Sequence, residues 1–270
     1  MIKIVQAIKR RLVRHRRLIA TYQDPKTIFI YQMGKVGSTS LELGIDNGLH
    51  VHAFYTKNHT CPVRLQGLAG FGLRHIVYRA EQEVLAYLLR RAFRQRKKTK
   101  IITLVRPPLA RNMSMFFHDL DAYLFAAHTN CMHTRNKVLP TRMQDKSLLA
   151  RVFEQEFDHH YPLRWFQQEF LPMTGVNIFD YHFDPSKGVT IIEREQIQVL
   201  CLRTDKIQHC AGDLSRFVGH EVKLSMENEA ESKWYGDVYT QFKQHYQPPK
   251  ALEQAIKDSQ LHQHFFAKEL

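Results

Sequence analysis

The chain has 270 residues, and 39 lysines and arginines against 26 acidic residues leave a formal charge of +13. That length can bury a substantial core, and the charge points to anionic partners: nucleic acid, lipid, nucleotide or acidic glycan. No apolar run is long enough to span a bilayer, and the four cysteines form no C-x-x-C pair, which argues against a membrane-spanning protein and a disulfide scaffold and favours a reducing compartment.

The first turns carry Lys3, Lys9, Arg10, Arg11, Arg14, Arg16 and Arg17 without an acidic residue, and Ile4, Val5, Ile8, Leu12 and Ile19 recur at helical spacing. Residues 1–24 therefore read as a basic amphipathic helix. Residues 1–20 either touch an anionic membrane surface or dock on the chain's own domain with a solvated basic face. No linker or internal repeat divides residues 25–270, which read as one domain.

Thr27–Met33 is a β-branched and aromatic run that predicts a buried strand. Gly34, Lys35, Val36, Gly37, Ser38, Thr39 and Ser40 then read either as an ordinary strand-turn-helix connection or as an anion cradle, with hydroxyls at a helix start where free N–H groups and the helix dipole favour an anion. A helix over Thr39–Asn47 and a strand over Leu49–Tyr55 follow, with His50 and His52 on one strand face. Residues 56–74 read as irregular. His75–Tyr78 reads as a short strand, and Ala80 to about Lys98 as a helix whose basic end is solvated.

Lys100–Val105 is the second buried strand, followed at once by Arg106-Pro107-Pro108, where proline opens a helix running towards Ala127. Residues 129–146 read as loop, and His128, Cys131 and His133 at its start lack a fourth zinc ligand at a recognised spacing and read as loop residues. Lys146–Phe170 reads as a helix broken at Pro162, and Val176–His182 with Gly188–Ile192 as a small β excursion. Ile197–Leu202 is a third interior strand, with helices over Asp205–Val218, Glu229–Tyr246 and Ala251–Phe266. Alternating strands and helices predict a P-loop-like three-layer α/β fold with a central, mostly parallel sheet flanked by helices.

In such a sheet ligands sit beyond the carboxyl ends of the strands, so the loop after Met33 and the segment after Val105 face one crevice. Lys35 supplies a charge at the loop, Arg106 a forked donor, and Ser114 a hydroxyl two helical turns on. The loop departs from the triphosphatase signature, because its lysine comes early and no Ser or Thr follows it directly.

Strand-Lys35-Val36-Gly37-Ser38-Thr39-Ser40 resembles the 5′-phosphosulfate loop of sulfotransferases that use 3′-phosphoadenosine 5′-phosphosulfate (PAPS), and strand-Arg106 to Ser114 resembles their 3′-phosphate element. Leu49–Pro62, with His50, His52, Thr56, Lys57, Asn58 and Pro62, is similar to a region of glycan 2-O-sulfotransferases. Ser232-Lys233-Trp234-Tyr235-Gly236 resembles the Asn-Lys-Trp-Tyr-Ser signature of bacterial capsular polysaccharide synthesis proteins, with departures at Ser232 and Gly236. The resemblance implies PAPS as donor, adenosine 3′,5′-bisphosphate as product and no metal requirement. It also implies a carbohydrate acceptor such as a capsular polysaccharide and no nucleic-acid partner, and the cysteine usage adds the expectation of a cytoplasmic protein, free or held at the inner face of the membrane by its basic helix.

Lys35 would stabilise charge on the transferring group, and a histidine would take the acceptor proton. By resemblance His75, shortly before the 3′-phosphate strand, is the first candidate and His52 the second, with His50 and His118 as rivals. Two other classes stay open: a P-loop nucleotide kinase or hydrolase, and a non-catalytic polyanion- or membrane-binding protein. Arg203-Thr204-Asp205, after the third interior strand, is expected either to border the crevice or to end the strand and cap a helix. For Trp234 and Tyr235 core packing is expected.

Overall fold

The computed structural model describes residues 2–37, 39–55, 73–127, 145–224 and 233–267. Helix α1 (Ile2–Gln23) leads into strand β1 (Ile28–Tyr31), helix α2 (Thr39–Gly44) and strand β2 (Gly48–Val51). Helix α3 (Leu73–Arg94), strand β3 (Thr99–Val105) and helices α4 (Pro108–His118) and α5 (Leu120–Ala127) follow. Next come α6 (Lys146–Glu156), α7 (Tyr161–Trp165), a π-helical turn at Phe166–Phe170 and α8 (Leu171–Thr174). The hairpin of β4 (Val189–Arg194) and β5 (Ile197–Arg203) precedes α9 (Ala211–Val218), α10 (Gly236–His245), α11 (Lys250–Lys257) and α12 (Gln260–Phe266).

The sheet order is β2-β1-β3-β5-β4, parallel except for the antiparallel edge strand β4. All four residues of β1 are buried, as are the last five of β5, because helices cover both faces of a parallel sheet. Phe29 and Tyr31 point to one face, where Tyr22, Phe54, Phe93, Trp165 and Phe170 pack on them. On the other face Lys100 donates to the Phe217 carbonyl of α9 at 2.6 Å. Chain connections leave β1 to one side and β3 to the other, so the switch point of the sheet lies between these two strands. A second core, built from Phe116, Phe117, Phe153, Tyr239 and Phe242, joins α4, α6 and α10.

The end of α1 belongs to the domain: Tyr22 is buried, and Arg96 donates to the carbonyls of Tyr22 (2.9 Å) and Thr27 (3.0 Å). Arg96 is thus a buried clamp on the connector into β1, which corrects its reading as part of a solvated helix end. Among the described residues no helix is long and apolar enough to cross a membrane. Cys201 and Cys210 are free thiols, both buried.

Several element expectations change. His75–Tyr78 is the beginning of α3 rather than a strand, since its β-branched residues continue a helical pattern. The helix after Pro107 breaks at Asp119, and the region after Pro162 is divided by the π-helical turn. The expected β excursion is half right: Ile178–Asp180 is a 3-10 turn, whereas Val189–Arg194 is the edge strand of the main sheet. Ala251–Phe266 is two helices separated at Asp258 and Ser259, where Ser259 caps the second by accepting from the His262 N–H.

Candidate functional site

The loop after β1 is shaped by bonds to its carbonyl groups. Arg111 Nε donates to Gly34 O at 2.9 Å, Arg106 Nη1 to Lys35 O at 3.1 Å, and Thr204 Oγ1 lies 2.6 Å from Val36 O. Three consecutive carbonyls are therefore held from outside, by residues that follow β3 and β5. Lys35 and Gly37 have φ of 69° and 88°, left-handed backbone at alternate positions of the kind that anion-binding nests use. Gly37 is required twice over: its φ suits glycine, and a Cβ there would come within 2.9 Å of the Thr204 methyl group.

Two arginines approach this loop. Arg111 is only 3% exposed, stacks over the Tyr161 ring at 4.8 Å, and forms no ion pair with a carboxylate among the described residues. Burial lowers its pKa to about 10, partly offset by Tyr161, Tyr123 and Asp158. An arginine in that position pays a solvation cost that a bound anion would relieve. Arg106 spends one donor on Lys35 O, and its other N–H groups meet no protein acceptor among the described residues. Such a donor set fits phosphate-type groups.

His52 also reaches the loop. Its Nδ1 is 3.3 Å from Gln32 O, and its ring lies 3.7 Å from where a Cβ on Gly34 would stand. Donation from Nδ1 to that carbonyl leaves Nε2 as the basic nitrogen. The His50 ring packs edge-on against His52 with centroids 4.2 Å apart, so the expected sharing of one strand face is found. His50 Nδ1 contacts the Glu42 carboxylate, which favours the charged ring, yet burial and then His52 lower its pKa to about 4. Glu42 is 38% exposed and screened by solvent, so burial prevails.

Ser114 is half-buried on α4, and His118, one turn later, is exposed. His75 lies in the first turn of α3, with its side chain outside the described residues. Ser38, the side chains of Thr39 and Ser40, and Thr56, Lys57, Asn58, Pro62, His128, Cys131, His133 and Ser232 lie outside them as well. Of the Arg203-Thr204-Asp205 group, Thr204 meets the loop. Arg203 is fully buried, paired with Asp205 and bonded to Phe265 O, which makes it structural. Tyr235 packs in the second core as expected, 6.0 Å from Phe117, but Trp234 is 57% exposed, which corrects its expected burial.

Sequence reasoning missed two supporting groups, Arg111 and Glu169. Glu169 is fully buried in the π-helical turn, and its Oε1 accepts from the Tyr31 hydroxyl at 2.6 Å and from the Phe54 N–H. It thereby ties the ends of β1 and β2 together just before the loop and just after His52. Its place on the apolar stripe with Trp165, Phe166, Phe170 and Met173 was the available signal. Beyond Thr204, a cavity of about 340 Å³ is lined by Ser186, Lys187, Lys206, His209, Cys210 and Asp213.

Residues 141–267 match the family model described as "Putative capsular polysaccharide synthesis protein". The matched part holds Glu169, β4, β5, Thr204 and the Lys233-Trp234-Tyr235 stretch, whereas the loop at 34–40 and Arg106 lie before it. Neither the curated proteins nor the solved structures contain a match to this chain.

Proposed function

We propose that this chain transfers the sulfuryl group of PAPS to a hydroxyl of a carbohydrate, in the synthesis of a capsular or other cell-surface polysaccharide. The observation that carries the reading is the loop whose carbonyls at 34, 35 and 36 are tied back while Lys35, Arg106 and the buried Arg111 surround it. The similarity of residues 141–267 to a capsular polysaccharide synthesis family supports a polysaccharide acceptor.

PAPS would supply an activated sulfuryl group on a phosphate leaving group. In this reading the loop N–H groups and Lys35 hold the 5′ side and stabilise negative charge gathering there. Arg106 and Ser114 hold the 3′-phosphate. Arg111 positions the loop by fixing Gly34. His52 takes the acceptor proton at Nε2; it is preferred to His75 because its ring stands against Gly34. Positioning and charge stabilisation of this kind carry group transfer between oxygens.

Calorimetry with adenosine 3′,5′-bisphosphate, and separately with ATP and magnesium, tests the assignment. The bisphosphate should bind without added metal, and Lys35→Ala or Arg106→Ala should each weaken it by about tenfold or more, the loss expected for a charge-assisted bond. Affinities unmoved by both changes, or preference for ATP, would overturn it. His52→Ala should keep the bisphosphate affinity and lose sulfuryl transfer; retained transfer would move the base to His75.

A further inference from the structure

Helix α3 carries an apolar stripe that nothing described covers. At 3.6 residues per turn Ile76, Val77, Ala80, Val84, Tyr87 and Leu88 fall within about one third of the helix circumference, opposite the buried Ala86 and Phe93. Ile76, Val77, Val84 and Tyr87 are each between 57 and 63% exposed. Soluble monomers rarely leave so continuous an apolar strip in water. Arg91, also exposed, lies along the same strip at its end.

Helix α1 runs beside it. Glu81, at the margin of the stripe, binds Arg11 at 2.6 Å and lies 3.6 Å from His15, and further along Arg96 holds the end of α1. On its solvent side α1 exposes Lys9, Arg10, Arg14, Arg16 and Arg17 together with Leu12 and Val13, and its sequence contains no acidic residue. An apolar strip bordered by a wholly basic helix is the composition of a surface that lies in a bilayer interface.

We infer that the α1–α3 face docks on an anionic lipid bilayer. Charge selects this occupant over a second copy of the chain, which would bring the same basic face against itself. The apolar strip selects it over a soluble glycan or nucleic acid, since those partners use the arginines but gain nothing from exposed Ile76, Val84 and Tyr87. Lipid supplies both halves, acyl chains for the strip and anionic headgroups for α1.

Flotation of the full chain with vesicles of phosphatidylcholine, alone and mixed with phosphatidylserine, tests this. Binding should require phosphatidylserine and weaken with salt. The double variants V84E/Y87E and R16E/R17E should each lower vesicle partitioning by about tenfold. These side chains are exposed, so circular dichroism should stay that of the unaltered chain, as should bisphosphate affinity. Lack of a phosphatidylserine requirement would overturn the inference. So would vesicle binding that survives V84E/Y87E, which would mark general polyanion attraction. A dimer dissolved by V84E/Y87E without vesicle binding would assign the face to a second copy instead.

Discussion

Gly37 is where backbone conformation, packing and ligand chemistry meet in one residue. Its positive φ disfavours any side chain, and the Thr204 methyl group occupies the place a Cβ would take. Gly37→Ala should therefore cost about 1–2 kcal/mol from the backbone alone, and more because Thr204 must yield. Since Thr204 also bonds Val36 O, that shift would unseat the loop, so bisphosphate affinity should fall along with the melting temperature. Measuring both separates the effects: a lower melting temperature with unchanged affinity would show that the loop binds no phosphate. That Lys35, Gly37 and Arg106 stand at one loop was legible in the sequence because each comes shortly after an interior strand of one sheet. Thr204 was legible only as one of two alternatives and Arg111 not at all, since each acts on a carbonyl far away in the chain and no local pattern records such a bond.

Among the elements, the interior strands were easiest to read and the divided helices hardest. β1, β3 and β5 are buried on both faces, which leaves unbroken apolar runs in the sequence. β4 has one neighbour and a mostly solvated surface, so its Val-Thr-Ile-Ile-Glu-Arg reads weakly. The π-helical turn is invisible to periodicity, yet it aims Glu169 at Tyr31 and Phe54. Glu169→Ala would strand the buried Phe54 N–H and open a void, while the Tyr31 hydroxyl keeps the main-chain Glu169 O at 3.1 Å, a loss on the order of 2–4 kcal/mol. Glu169→Gln keeps an acceptor oxygen and should lose less than half as much. Urea denaturation of the two variants checks this; equal losses would mean that the carboxylate charge, rather than its acceptor role, holds the turn.

Acid should weaken the whole molecule, and the reason is distributed over the fold. Burial lowers the pKa of His50, His159 and His264, with His52 adding to the effect at His50 and His182 at His264, while a bond to Phe153 O partly opposes it at His159. An unfolded histidine titrates near ~6.5, so below that pH the unfolded chain takes up protons that the folded chain refuses. The stability these rings contribute is thus fully present above the unfolded value and drains away as pH falls, for His50 until about 4. Asp145 and Glu253, held below the ordinary carboxylate range by bonds from Ser147 and Lys257, add a further loss at lower pH. Protonation also raises a net charge that already stands at +13, which increases self-repulsion. Unfolding free energy measured in urea should therefore rise between pH 5 and about 7 and level off above it. His50→Gln should remove up to one proton's share of that slope, and a flat profile, or greater stability at pH 5, would mean that these histidines are charged in the folded chain.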